Sequence, residues 1–240
     1  MKIALAQIQS TKGDIQSNIE KHLAWVTKSL SQGVDAIFFP ELSLTGYEPI
    51  LARELAIAED ARLNEFQRLS NQNNLVIGLG APTKSGEDCY ISMLIFQPNS
   101  PLKVYSKIIL HEDEQPFFSA SHKQVIIQSQ GIRIAPAICY ESLQESHLAT
   151  ALHSSPDIYL ASVAKSQKGI NQAQAYFSLA ASQHQLPILM ANAIGPNDDF
   201  ISAGQSSIWH KNGELIAQLS TKEEGLLIYD TKTKAALSLQ

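Results

Sequence analysis

The sequence predicts a layered α/β fold with helices covering both faces of a sheet. Two observations carry this reading. Apolar β-type runs alternate with amphipathic helical segments along the chain, and no linker, low-complexity tract or internal repeat interrupts them. Hydrophobic residues make up 44% of the 240, enough to fill a sizeable core. The chain reads as one domain, residues 1–240.

Residues 2–8 (KIALAQI) read as a strand. Residues 15–32 place Ile19, Leu23, Val26 and Leu30 at helical spacing, and Gly33 ends that helix. DAIFFP (35–40) is a short buried strand, and 60–72 a helix with Leu63, Phe66 and Leu69 on one face. LVIGLG (75–80) is the next strand. Two more follow near 90–97 and 102–110, parted by the turn residues Pro98, Asn99, Ser100 and Pro101. Residues 124–128 and 131–138 pair as a hairpin, and 141–153 read as a helix. DIYLASV (157–163) is a strand, 170–185 a helix and LPILMAN (186–192) a strand. The tail holds three strands, 205–210, 214–219 and 225–230, the first two joined by a tight turn at Lys211-Asn212-Gly213.

Composition excludes several classes. The formal charge of −5 argues against nucleic acid as a main partner, because phosphate binding needs a basic surface. The hydrophobic content argues against disorder. No stretch approaches the length of a membrane-spanning helix, and the N-terminus lacks a signal-peptide core, so a cytoplasmic location without membrane contact is expected. Two cysteines, Cys89 and Cys139, make neither a disulfide framework nor a four-cysteine zinc site. The seven histidines show no metal-binding spacing.

Three motif fragments are decoys. Gly78-Leu79-Gly80-Ala81-Pro82-Thr83 begins like a dinucleotide loop but carries Thr where the third glycine belongs. Gly204-Gln205-Ser206-Ser207-Ile208 lacks the closing glycine of a nucleophile elbow. Ser162-Val163-Ala164-Lys165 matches S-x-x-K without its companion motifs.

Three other segments place reactive side chains at strand ends. In Phe38-Phe39-Pro40-Glu41-Leu42-Ser43 an apolar strand runs into a carboxylate, either a surface residue or a base. In Val104-Tyr105-Ser106-Lys107-Ile108-Ile109-Leu110 a lysine interrupts an apolar run. It either lies on the polar face of an edge strand or points inward, where its charge needs a partner. In Ile132-Arg133-Ile134-Ala135-Pro136-Ala137-Ile138-Cys139-Tyr140-Glu141 a strand delivers Cys139 to the start of a helix. That thiol is either an inert core residue or, beside a helix N-terminus, a thiol of lowered pKa. In open α/β sheets the functional crevice forms at the strands' carboxyl ends, so the three together supply a base, a cation and a nucleophile.

On these segments the chain resembles the nitrilase superfamily, the carbon–nitrogen hydrolases. The matching residues are Phe39-Pro40-Glu41 with Thr45-Gly46-Tyr47, then Tyr105-Ser106-Lys107 with Leu110, then Ile138-Cys139-Tyr140-Glu141. Ile3-Ala4-Leu5-Ala6-Gln7, Ala191-Asn192 and Gly204-Gln205-Ser206 ahead of Gly213 add weaker matches in the same order. The resemblance implies a four-layer α-β-β-α sandwich of the nitrilase type and a catalytic Glu41-Lys107-Cys139 triad. It also implies a second glutamate shortly after the lysine. Asp113-Glu114-Gln115-Pro116-Phe117-Phe118 makes that Glu114, with Glu112 as the competing choice, although Ser119-Ala120-Ser121 stands where a glycine turn is usual. Cys89 matches no motif and reads as structural. The implied activity is hydrolysis of a small-molecule amide through a cysteine thioester, without metal or other cofactor, in a homodimer or higher homo-oligomer. A nitrilase, an N-carbamoyl hydrolase and a non-catalytic scaffold are the alternatives. Tyr47 and Tyr140 are expected to line the substrate pocket. Lys165 either faces that pocket as a cation for a substrate carboxylate or is a solvated loop residue.

Overall fold

Side-chain alternation decides the layering. In β1 (Lys2–Gln7), Ile3 and Leu5 face one way, Ala4 and Ala6 the other, and all four are buried. A strand buried on both faces belongs inside a stack. The computed structural model describes residues 1–239 and has that stack as a four-layer α-β-β-α sandwich.

The first half of the chain continues through α1 (Ile15–Leu30), β2 (Ala36–Phe38), α2 (Ala52–Leu55), α3 (Asn64–Asn73), β3 (Val76–Ser85), β4 (Asp88–Phe96) and β5 (Lys103–Ser106). The second half runs through β6 (Ile127–Ser129), β7 (Ile132–Ile138), α4 (Glu145–Leu152), β8 (Ile158–Val163), α5 (Gln167–His184) and β9 (Ile188–Asn192). It ends with β10 (Ile194–Asn197), β11 (Phe200–Ala203), β12 (Ser207–Trp209), β13 (Leu215–Gln218), β14 (Gly225–Asp230) and β15 (Ala236–Leu239). One sheet has seven strands in the order β15-β14-β1-β2-β3-β4-β5, and the other six in the order β13-β12-β9-β8-β7-β6. β10 and β11 form a separate hairpin.

Between the sheets, Leu5, Phe38 and Met93 pack against Ile134, Leu160 and Leu189. Outside the first sheet, α1 and α3 bury Ile19, Val26 and Phe66 on Ala4, Ile37 and Ile77. Outside the second, Ala173, Ala180 and Ala181 of α5 share a core with Ala135, Ala137 and Ala161. Small residues on both sides let that helix approach the sheet closely. The parallel strands β2, β7, β8 and β9 all end at one rim.

Several elements differ from the sequence reading, among them the short helix α2, which was not expected. The strand expected over 102–110 stops at Ser106, because the Glu141 carboxylate accepts the N–H groups of Ile108 (2.6 Å) and Ile109 (3.0 Å) in place of a ladder partner. The helix expected over 141–153 begins instead as a 3₁₀ turn, Cys139–Leu143, which gives way to α4 at the extended residue Gln144. The β10–β11 hairpin was not expected, since Gly195, Pro196 and Asn197 carry turn signals rather than strand periodicity. β15 was not expected either: it is four residues long and lies near the chain terminus.

Candidate active site

Glu41, Lys107 and Cys139 each follow a strand end, and the sandwich brings those ends together between its sheets. Glu41 sits three residues past β2, Lys107 one past β5 and Cys139 one past β7. Lys107 is fully buried, which requires compensation for its charge. Its Nζ donates to Glu41 Oε1 at 2.9 Å and to Glu114 Oε1 at 2.6 Å. Glu114 is therefore the second glutamate that meets the lysine, whereas Glu112 is exposed. Glu114 also accepts from the Tyr47 hydroxyl (3.0 Å) and the His111 N–H (2.7 Å), so its position is set from three sides.

The electrostatics follow from burial. Desolvation raises the Glu41 pKa above the ordinary carboxylate value, Lys107 opposes the rise and Glu114 adds to it. Burial works against the Lys107 ammonium, but Glu41 and Glu114 outweigh it and hold its pKa above the usual lysine value. Desolvation and then Glu41 push the Cys139 thiol up to about 11, against Lys165 and Lys107, which lower it. Of the two alternatives for this thiol, the lowered pKa is set aside: burial beside the Glu41 carboxylate outweighs the two lysine charges, and the turn after Cys139 is only a short 3₁₀ segment. At neutral pH the thiol is protonated and needs a base. Glu41 Oε2 is buried without a hydrogen-bond partner, while the Cys139 Sγ–H points at the Ala164 carbonyl, 3.7 Å away.

Cys139 itself has φ 46°, in the left-handed region. A non-glycine residue there stores roughly 1–2 kcal/mol. What holds it is Glu141, which is fully buried. Its Oε1 accepts from the Ile138 N–H (2.8 Å) and the Tyr105 hydroxyl (2.6 Å), while its Oε2 takes the Ile108 and Ile109 N–H groups. One carboxylate thus pins the backbone next to the nucleophile and next to the lysine. Tyr105 and Tyr159 also bracket His147, at 2.8 Å each. Burial lowers the His147 pKa and favours the neutral ring.

Gly80 explains one of the decoys. A Cβ there would lie 2.2 Å from the Pro40 carbonyl and 2.5 Å from the Leu42 nitrogen, so β3 passes directly under the segment that carries Glu41. Gly80→Ala is expected to displace Glu41, costing about 1–3 kcal/mol of stability by overpacking and about a hundredfold in turnover. Urea unfolding and steady-state rates check this; wild-type values in both would refute the close approach.

Cys139 and Glu114 line a pocket of about 630 Å³, and Glu41 and Lys107 are buried outside its lining. Tyr47, Glu114, Cys139, Tyr140 and Lys165 all line it, as do Gly169 of α5 and Phe200 of the hairpin. Lys165 is 7% exposed, which excludes the solvated-loop alternative. Its backbone is fixed by Asn192, which accepts the Lys165 N–H at 2.8 Å and donates to its carbonyl at 3.1 Å. Cys89 is buried in the inter-sheet core away from this pocket. The sequence reading assigned no role to Glu141 or Asn192, although both stood in quoted motifs. Phe200 lay in the unforeseen hairpin and gave no signal.

The chain is 24% identical over 241 residues to the glutamine-dependent NAD(+) synthetase of Thermotoga maritima, covering 96% of this chain and 42% of that protein. It is 29% identical over 240 residues to the enzyme of the same description from Acinetobacter baylyi, covering 93% of this chain and 43% of the relative. It therefore spans less than half the length of these curated relatives. An amidase of the nitrilase superfamily from Nesterenkonia AN1 has the same fold, with a TM-score of 0.88, 20% identity, and coverage of 98% of this chain and 92% of that one. The sequence profile of the carbon-nitrogen hydrolase family matches residues 2–236, and the chain belongs to that family.

Proposed function

We propose that the chain hydrolyses the C–N bond of a small amide through a thioester on Cys139. The observation that carries this reading is the buried Glu41-Lys107-Glu114 cluster, whose Glu114 lines the same pocket as Cys139. Glu41 Oε2 takes the thiol proton as sulfur attacks the amide carbon. Two of the three Lys107 N–H bonds are held by Glu41 and Glu114; the third, with the Tyr140 N–H, stabilises the oxyanion. Glu41 then hands its proton to the leaving nitrogen, which departs as ammonia or an amine. A water attacks the thioester carbon, Glu41 takes the water's proton, and the carboxylic acid leaves as the thiol is restored. Glu114 holds Lys107 in line, and Tyr47, donating to Glu114, and Tyr140 shape the wall that contacts substrate.

The test is ammonia release from a panel of primary amides, glutamine, carbamoyl amino acids and nitriles, with intact-mass analysis of trapped intermediates. Amide turnover with an acyl adduct on Cys139 supports the proposal. Turnover of carbamoyl compounds alone, with carbon dioxide released alongside ammonia, or of nitriles alone would replace it. The pH profile gives a second check. The base must be ionised, so kcat/KM falls as pH drops through the Glu41 pKa, and its upward displacement puts that limb above about 4.5. The Lys107 pKa lies above its ordinary value of 10.5, so its ionisation does not limit the rate at neutral or mildly alkaline pH. An acid limb at or below 4.5 would remove Glu41 from the role of base.

A further inference from the structure

His22, on the buried face of α1, is fully enclosed, and the chemistry above gives it no task. An imidazole is costly to bury unless both of its nitrogens are bonded. Here both are. Nδ1 lies 2.6 Å from the Asn18 carbonyl oxygen, which can only accept, so Nδ1 carries the proton. Nε2 of the neutral ring then accepts from the Ser43 hydroxyl at 2.9 Å. Burial lowers the His22 pKa to about 4, so the ring keeps this arrangement around neutral pH.

Ser43 stands two residues after Glu41, in the segment that β3 passes under at Gly80. Its oxygen, having donated its hydrogen to His22, accepts the Gly80 N–H at 3.3 Å. Neighbouring bonds fasten the same segment: the Leu44 N–H donates to the Gly80 carbonyl at 2.9 Å, and the Asn18 amide donates to the Leu44 carbonyl at 3.0 Å. Between Glu41 and Ser43, the buried Leu42 has φ 51°, in the left-handed region. A residue with a Cβ is strained there by about 1–2 kcal/mol and persists only where its surroundings fix it. That strain adjoins the proposed base. Glu41 Oε1 is tied to Lys107 and Oε2 has no partner, so the direction of Oε2 depends on the backbone that carries it.

We propose that His22 is a positioning residue: through Ser43 it clamps the strained turn at Leu42 and so holds Glu41 Oε2 ready to take the Cys139 proton. The inference rests on Glu41 as the base for Cys139, and its test reads that base without turning over a substrate.

The experiment follows alkylation of Cys139 by iodoacetamide in the full chain from about pH 6 to about pH 8, read from the mass of the peptide that contains it. Sulfur displaces iodide as the thiol proton passes to its acceptor. With Glu41 in place, the rate is expected to stay nearly level over this range. Where Glu41 no longer reaches the thiol, only thiolate reacts. With the thiol pKa pushed up to about 11, the rate then climbs about tenfold per pH unit and lies about a hundredfold lower at pH 7. This steep profile is expected of Glu41→Gln, His22→Leu and Ser43→Ala. His22→Gln offers an amide oxygen in place of Nε2 and is expected to recover at least about tenfold of the lost rate.

Urea unfolding of each variant separates positioning from packing. A lower midpoint with a level profile in His22→Leu marks a histidine kept for structure and overturns the inference. If His22→Leu does not fold, Ser43→Ala, which leaves α1 intact, decides: a level profile there overturns the inference and a steep one supports it. Level profiles in both variants beside a steep one in Glu41→Gln leave the base standing and remove only the positioning role. A level profile in Glu41→Gln removes Glu41 as the base, and the inference falls with that reading.

Discussion

Replacing Cys139 by glycine is expected to abolish ammonia release and to leave a protein more stable than the corresponding alanine variant. The two halves of this result have separate causes. Removing the sulfur removes the covalent route, and loss of a nucleophile that works as a unit with its base costs about 10⁵–10⁶ in turnover. Stability responds to the backbone instead. Glycine normally destabilises by roughly 0.5–1 kcal/mol relative to alanine, because it gives up more conformational freedom on folding. At position 139 the order reverses, since φ 46° is strained for any residue with a Cβ and not for glycine. Glycine should exceed alanine there by about 1 kcal/mol in urea unfolding. Alanine as the more stable variant would mean that Cys139 does not occupy the left-handed conformation. Turnover persisting in either variant would mean that it is not the nucleophile.

The strain and the thiol's raised pKa belong to one arrangement. A cysteine held at a sharp turn beside a buried glutamate is neither relaxed nor ionised, so it is unreactive until a substrate carbonyl offers the sulfur a carbon and Glu41 Oε2 accepts the proton. Glu141 supplies the rigidity, with four hydrogen bonds that tie Ile138 to Ile108 and Ile109 across the two sheets. Ser162, whose hydroxyl donates to the Phe39 carbonyl at 2.8 Å, fastens the Glu41 segment to the second sheet in the same way.

Much of this was legible beforehand, and what was not has identifiable causes. Strand–helix alternation located the strands that carry Glu41, Lys107 and Cys139, because a core face leaves a periodic trace. Carbon–nitrogen hydrolase motifs then supplied the four layers, which periodicity alone does not encode. The direction of the Cys139 pKa shift stayed open: it depends on burial and on a carboxylate distant in sequence, whereas the chain shows only a neighbouring helix start. The motif favours Glu114 over Glu112 without showing where either side chain goes. Only the 3₁₀ turn over Glu112–Glu114 aims the former at Lys107 and the latter at solvent. Of the four partners of Glu141, only the Ile138 N–H stands at capping-box spacing; Tyr105, Ile108 and Ile109 are distant in sequence.

Lys107→Met is expected to cost both turnover and about 3–5 kcal/mol of stability at neutral pH, the penalty for removing one member of a buried ion cluster. With Lys107 gone, Glu41 and Glu114 are left buried together without a cation, Glu41 Oε2 already having no partner. Glu41, whose pKa burial already raises, then loses the cation that opposes the rise and binds its proton more tightly in the folded chain than in the unfolded one. Stability that depends on its protonated form is present below the unfolded carboxylate pKa and is lost as pH rises through the folded value. The deficit relative to wild type is therefore expected to shrink on going from pH 7 to pH 5. Adding Glu114→Gln to Lys107→Met removes one of the two charges. That double variant should recover part of the lost stability but none of the activity, because the proton acceptor is retained and the oxyanion donor is not. Urea unfolding of the three proteins at both pH values separates the outcomes. A pH-independent deficit would show that the two glutamates are not electrostatically joined through Lys107. Recovery of turnover in the double variant would show that the lysine serves only to neutralise Glu114.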